Sequence, residues 1–153
     1  MKLTSRGELA LKAMLELAKV ERSDAPGLSA AEIARRCNAS VKFLEQVLAQ
    51  LKAGGYVVSR LGARGGYRLT RDPEEIFVGE VSRLIDGPLA PAPCASLTQH
   101  RTCDWCSDEA SCVLRGVWTE VRDAVASVMD RVSFGELVRR AEEQGETSSR
   151  YFI

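Results

Sequence analysis

Histidine is almost missing from this chain: His100 is the single one among 153 residues. One imidazole excludes most His-based catalytic triads. No glycine-rich loop stands ahead of a helix to cradle phosphates, so no enzyme is in view. Long hydrophobic runs are missing as well. The apolar stretches are a few residues each, too short for a membrane span. The opening MKLTSRGELALKAM carries charge through its apolar pattern, unlike a secretory signal. A cytoplasmic protein with no membrane contact is the expectation. The 45% hydrophobic and 27% charged content is that of an ordinary globular protein. It excludes wholesale disorder and leaves room for one to two small domains.

Net charge is also absent, but only in the sum. Residues 1–72 hold 13 Lys and Arg against 7 Asp and Glu, while residues 73–153 hold 8 against 14. An excess of six positive charges in the first half points that half toward a polyanion.

Apolar periodicity places a first helix over about Ser5 to Val20, with Leu9, Ala13, Met14, Leu17 and Ala18 on one face. Ser29 reads as the N-cap of a second helix, about Ala30 to Cys37, with Glu32 completing a capping box. After the turn Asn38-Ala39-Ser40, Ser40 caps a third helix. Its buried stripe is Val41, Leu44, Val47, Leu48 and Leu51, and Gly54-Gly55 end it. Two β-prone segments, Tyr56–Leu61 and Tyr67–Thr70, flank a glycine-rich turn and predict a hairpin. A short helix follows from Val78 through Ile85. The expected class is mainly α with a small β-hairpin: a winged helix-turn-helix over residues 1–86.

Residues 87–111 read as an irregular, cysteine-rich loop. From Cys112 to Val132, the residues Leu114, Trp118, Val121, Val125, Val128 and Val132 step by 4, 3, 4, 3 and 4. That seam is coiled-coil-like and predicts a dimerisation helix over 112–132. A C-terminal helix and tail fill 133–153, with Glu142 to Ile153 expected to be loosely ordered.

A helix entering the major groove needs an outward polar and basic face. Ser40, Lys42, Phe43, Glu45, Gln46 and Gln50 supply it: Gln suits adenine edges, Glu accepts from cytosine, and Lys reaches guanine or phosphate. Arg60, Arg64 and Arg68 add cations around the wing, where arginine suits a narrow minor groove. The partner implied is double-stranded DNA, read by a homodimer at a palindromic-type operator.

Four of the five cysteines follow the spacing Cys94-x8-Cys103-x2-Cys106-x5-Cys112. With an odd total and no export signal, metal or redox chemistry is favoured over a disulfide framework. Thiolates suit an iron–sulfur cluster or zinc, and the spacing does not choose between them. His100 lies in the same loop. A thioredoxin-like Cys103-Asp104-Trp105-Cys106 lacks the preceding strand such a motif uses, and Cys37 reads as a small buried hydrophobe. A winged-helix regulator with structural zinc, or a redox protein with a helical docking module, remain alternatives.

The segments MKLTSRGELALKAM, SVKFLEQVLAQLKAGGYVVSRLGARGGYRLTRD, FVGEV, CVLRGVW and SFGELV resemble the iron–sulfur branch of the Rrf-two-type transcription regulators, the IscR- and NsrR-like group. The resemblance covers about residues 1–140. It implies a DNA-binding homodimer whose long helix crosses onto the partner. It also implies a 2Fe–2S or 4Fe–4S cluster in the cysteine loop that senses iron–sulfur supply, nitric oxide or redox state. By position, the branch's base-reading residues fall on Lys42, Glu45 and Gln46. Its wing arginine falls on Leu61, a departure that leaves the work to Arg60 or Arg64. Cys94, Cys106 and Cys112 match its three cysteines best. Its histidine ligand falls on Arg115, which cannot ligate. The fourth ligand is then Cys103, or Glu8 from the partner subunit.

Overall fold

A computed structural model describes residues 3–22, 26–62 and 65–150. Among them run α1 (Ser5–Arg22), α2 (Ala30–Cys37), α3 (Val41–Ala53), β1 (Val57–Arg60), β2 (Gly66–Leu69), α4 (Val78–Asp86), α5 (Val113–Met129) and α6 (Phe134–Arg150), with 3-10 turns at Pro73–Glu75 and Pro93–Ala95. No helix among the described residues is long and apolar enough to cross a membrane.

Side-chain caps set the start of each helix in the helix-turn-helix. The Ser29 hydroxyl accepts from the Glu32 amide at 3.1 Å, and the Ser40 hydroxyl accepts from the Phe43 amide at 3.3 Å. Asn38 closes α2 in the left-handed region at φ 52°, a conformation Asn tolerates better than most residues. The expected capping box forms only by half. The Glu32 carboxylate turns to Arg35 (2.8 Å) and Arg36 (2.7 Å) instead of returning to the cap. Those two guanidinium groups hold its pKa down at about 2.

The hairpin is antiparallel, pairing Val57 with Leu69 and Arg60 with Gly66. A third segment braces it: the Leu28 amide donates to the Tyr67 carbonyl at 3.1 Å, and the Tyr67 amide to the Leu28 carbonyl at 2.7 Å. Gly66 makes this possible. It sits at φ +106°, and a Cβ there would lie 2.8 Å from the backbone of Gly27 and Leu28.

One core joins everything except α5. The α1 face of Leu9, Ala10, Ala13, Met14, Leu17 and Ala18 packs with Ile33 of α2, Leu44, Val47, Leu48 and Leu51 of α3, Val57 and Leu69 of the hairpin, Val81 of α4, and Phe134 and Val138 of α6. The entries to α4 and α6 are stitched together. The Val78 amide donates to the Val132 carbonyl at 3.0 Å and the Phe134 amide to the Ile76 carbonyl at 2.9 Å. Arg83 of α4 grips Asp130 through two bonds of 2.6 and 2.7 Å.

Three further expectations change. Val41, placed on the buried stripe of α3, is exposed. α5 stops at Met129, so Val132, placed on its seam, lies in the α5–α6 link and is buried there. The segment expected to be loose from Glu142 is helical through Arg150. Among the described residues none of α5 is buried, and Val113, Leu114, Val117, Val121 and Val128 stand exposed.

Phe134→Ala removes a fully buried ring that joins α6 to the core. Unfolding in urea should show a loss of about 3–5 kcal/mol; a loss near zero would mean that α6 does not share this core. Glu32 supplies a pH test. Its folded pKa lies below the unfolded value, so its contribution is full above about pH 4.5 and disappears as pH falls toward about 2. Carboxyl carbon shifts should show Glu32 ionised at pH 3.5 in the native protein and half-protonated near pH 4.5 in an Arg35→Ala/Arg36→Ala variant.

Candidate nucleic-acid interface and cysteine loop

α3 buries one side and turns the other outward. Leu44, Val47, Leu48 and Leu51 are free of solvent contact, while Ser40, Lys42, Glu45 and Gln46 are exposed. Four polar side chains on adjacent turns therefore share an open face, with hydrogen-bonding heads of the kinds that read base edges. Phe43 is half-buried and packs on the core, so it supports the helix from beneath as much as it faces outward. Gln50 is also half-buried, and its Oε1 is enclosed without a partner.

The hairpin stands beside the C-terminal end of this helix. Lys52 Nζ donates to Ser59 Oγ at 2.8 Å, tying α3 to β1. Arg60 and Leu61 project beyond that tie and are exposed. Arg64 lies outside the described residues. Arg68, expected among the wing cations, is instead turned inward to Glu21 of α1 at 3.2 Å.

The cysteine loop is anchored on α5 by two arginines. Arg115 Nε donates to the Cys94 carbonyl at 3.3 Å, and Arg122 donates to the Ala95 carbonyl at 2.7 Å. These two arginines are two helical turns apart and fix the buried stretch Cys94-Ala95-Ser96 along one side of α5. Glu109 closes the other end. Its carboxylate meets His100 at 2.7 Å and Arg115 at 3.0 Å. Glu109 went unnoticed in the sequence; the available signal was a carboxylate between the last two cysteines. Arg115 thus binds the loop from the position where the resemblance implied a histidine ligand.

All five cysteines are free thiols. Cys106 and Cys112 are in side-chain contact, with Cys103 close enough to act on Cys106. Partial desolvation and the Cys112 sulfur together push the Cys106 thiol above its ordinary value. Cys103, Cys106 and Cys112 are partly exposed, whereas Cys94 is buried. Among the described residues no three His, Cys, Asp or Glu side chains converge as a metal-holding group. The donor chemistry fits a soft metal or an iron–sulfur centre: the thiols of Cys106 and Cys112 meet on a loop pinned at both ends.

Glu8 lies on the exposed side of α1 and pairs with Lys12 at 2.7 Å. The hydrogen bond and charge of Lys12 hold its carboxyl below the usual range. Cys37 is half-buried at the end of α2, where burial pushes its thiol up. It packs on the core as a small hydrophobe.

Residues 3–140 match the family Rrf2, iron-dependent transcriptional regulators. The chain is 39% identical over 137 residues to an rrf2-like HTH-type transcriptional regulator of Rhodobacter capsulatus, covering 89% of this chain and 91% of that one. It is 33% identical to the HTH-type transcriptional regulator IscR of Aliivibrio salmonicida, over 94% of this chain and 81% of the relative. Among solved structures, it resembles CymR, the global cysteine regulator of B. subtilis, with a TM-score of 0.73, 31% identity, and 92% and 98% of the two chains covered. The T. potens IscR structure gives a TM-score of 0.71 at 30% identity, covering 94% and 90%. These relatives are regulators rather than enzymes, and their winged-helix fold is the one built here. The outward face of α3, the braced hairpin and the match over residues 3–140 lead to one conclusion: the chain belongs to the Rrf2 family of transcriptional regulators.

Proposed function

We propose that this regulator binds double-stranded DNA as a homodimer at a palindromic-type operator and carries an iron–sulfur cluster in its cysteine loop. The observation that carries the reading is the joint placement of two features on one small fold. An open polar face on α3 stands with a braced wing at one place, and a cysteine loop pinned by Arg115 and Arg122 lies on a helix with an uncovered apolar side at another.

Ser40, Lys42, Glu45 and Gln46 meet base edges and phosphates in the major groove, with Phe43 seating the helix beneath them. Arg60 and Arg64 meet the backbone from the wing. Val117, Val121 and Val128 of α5 pack against the same helix of a second copy, setting two α3 helices for two half-sites. Cys94, Cys103, Cys106 and Cys112 hold the inorganic centre, with Glu8 of the partner subunit the alternative fourth ligand. Bound there, such a centre supplies reactivity toward electrons and nitric oxide. The chain's own part is mechanical. Glu109 joins His100 to Arg115, so an altered loop conformation is felt directly at the first turn of α5. DNA affinity then changes only by the difference in contacts between the two loop states.

Protein purified without oxygen should be coloured and contain iron and sulfide. Stoichiometric zinc in colourless protein would assign a structural metal site instead. Cys103→Ala should lose the iron while Glu8→Ala retains it; the reverse pattern makes Glu8 the ligand. Arg60→Ala and Arg64→Ala should each weaken duplex binding and flatten the dependence of log K on log salt by about one unit. An unchanged slope in both would place the wing away from the duplex.

A further inference from the structure

Leu61 is fully exposed, at 102% of its reference area, so it touches nothing of its own chain. A lone surface leucine is ordinary in a globular protein. This one is placed differently. It follows Arg60 directly at the end of β1, where the chain leaves the hairpin for its tip. The next residue, Gly62, takes φ +108° with nothing within 4 Å of a Cβ. The Gly65 amide donates to the Gly62 carbonyl at 2.8 Å, closing the turn beneath it. The base cannot fold over to cover the side chain either. Leu28 brackets Tyr67 from one side, and Lys52 ties Ser59 to α3 from the other. The hairpin thus presents an isobutyl group outward beside a cation, on the half of the chain with the positive excess.

We propose that Leu61 is a specificity residue that enters the minor groove of the bound duplex and favours A·T over G·C pairs there. The inference rests on the DNA-binding reading above. Charge complementarity selects the occupant: the exposed Arg60 brings the tip to phosphates, and the groove between them is lined by apolar sugar faces. The minor groove is about 6 Å wide, wide enough for a leucine side chain between its walls. The floor of an A·T pair shows only acceptors, while a G·C pair raises the guanine amino group into the groove. A leucine satisfies neither donors nor acceptors, so over G·C it shuts one further polar group, the amino donor, from water and leaves it unpaired. Unlike an arginine at the same place, leucine releases no counterion, so its contribution is independent of salt.

The test uses the full chain, purified without oxygen, and a pool of duplexes with randomised sequence. From the duplex it enriches, variants are made with A·T pairs flanking the major-groove contacts replaced by G·C or by inosine·cytosine. The latter has the minor-groove face of A·T and the major-groove face of G·C. The wild type should bind the A·T and inosine·cytosine duplexes alike and the G·C duplex about tenfold more weakly. Leu61→Ala should reduce that discrimination below about twofold with the salt slope unchanged, and Leu61→Arg should steepen the slope by about one unit. Circular dichroism of the variants should match the wild type, since the side chain has no contacts to lose. If Leu61→Ala keeps the wild-type discrimination, or if the wild type does not separate inosine·cytosine from G·C, the minor-groove role is overturned while DNA binding stands. If the wild type enriches no duplex, both fall.

Discussion

Leu9, Ala13, Met14 and Leu17 line the face of α1 against which α2, α3, α4, β2 and α6 all pack. Each large side chain buried there contributes about 2 kcal/mol, whereas an exposed ion pair such as Glu8–Lys12 stays solvated and screened and decides little. The apolar face therefore decides the arrangement. The alanines at 10, 13 and 18 let neighbouring elements approach closely, and α3 can then present Ser40, Lys42, Glu45 and Gln46 outward because its opposite side is fully engaged with α1. The same face receives Phe134 and Val138, so the chain returns to its first helix after the long excursion through the cysteine loop and α5.

That excursion leaves α5 outside the core. A helix of 17 residues with none of them buried, and five large apolar side chains exposed, carries an apolar side that its own chain leaves uncovered. Its one well-engaged side carries Arg115 and Arg122, which hold the loop segment around Cys94. The proposed pairing of two copies through the other side gives α5 two tasks at once: spacing the α3 helices and backing the cysteine loop. A change in the loop then meets the dimer axis without any separate relay.

Much of this was legible where local chemistry settles local structure. Ser29, Ser40 and Gly54 punctuate α2 and α3, and both helices lie where those residues predict. The hairpin follows from β-prone segments on either side of glycines. Errors arose where a distant partner prevailed over a local pattern. Val132 continues the seam spacing of α5, yet its carbonyl is taken by Val78 and the helix has already ended. Arg68 is a wing cation by sequence, and Glu21, 47 residues away, turns it inward. Glu32 is a local exception: it fits a capping box, but two arginines one turn further along its own helix outcompete the cap. The polar stretch after Glu142 lacks apolar spacing, yet it extends a helix already docked by Phe134 and Val138. For the cysteine loop, spacing named the thiols, while the pinning by Arg115, Arg122 and Glu109 depends on three-dimensional contact.

The central claim is that two copies of this chain, joined through α5, grip one duplex. Sedimentation equilibrium of the protein with a single short duplex carrying its selected site measures this most directly. The account predicts a complex mass of two chains and one duplex, with no population of one chain per duplex at low protein concentration. A stable complex of one chain and one duplex would contradict it.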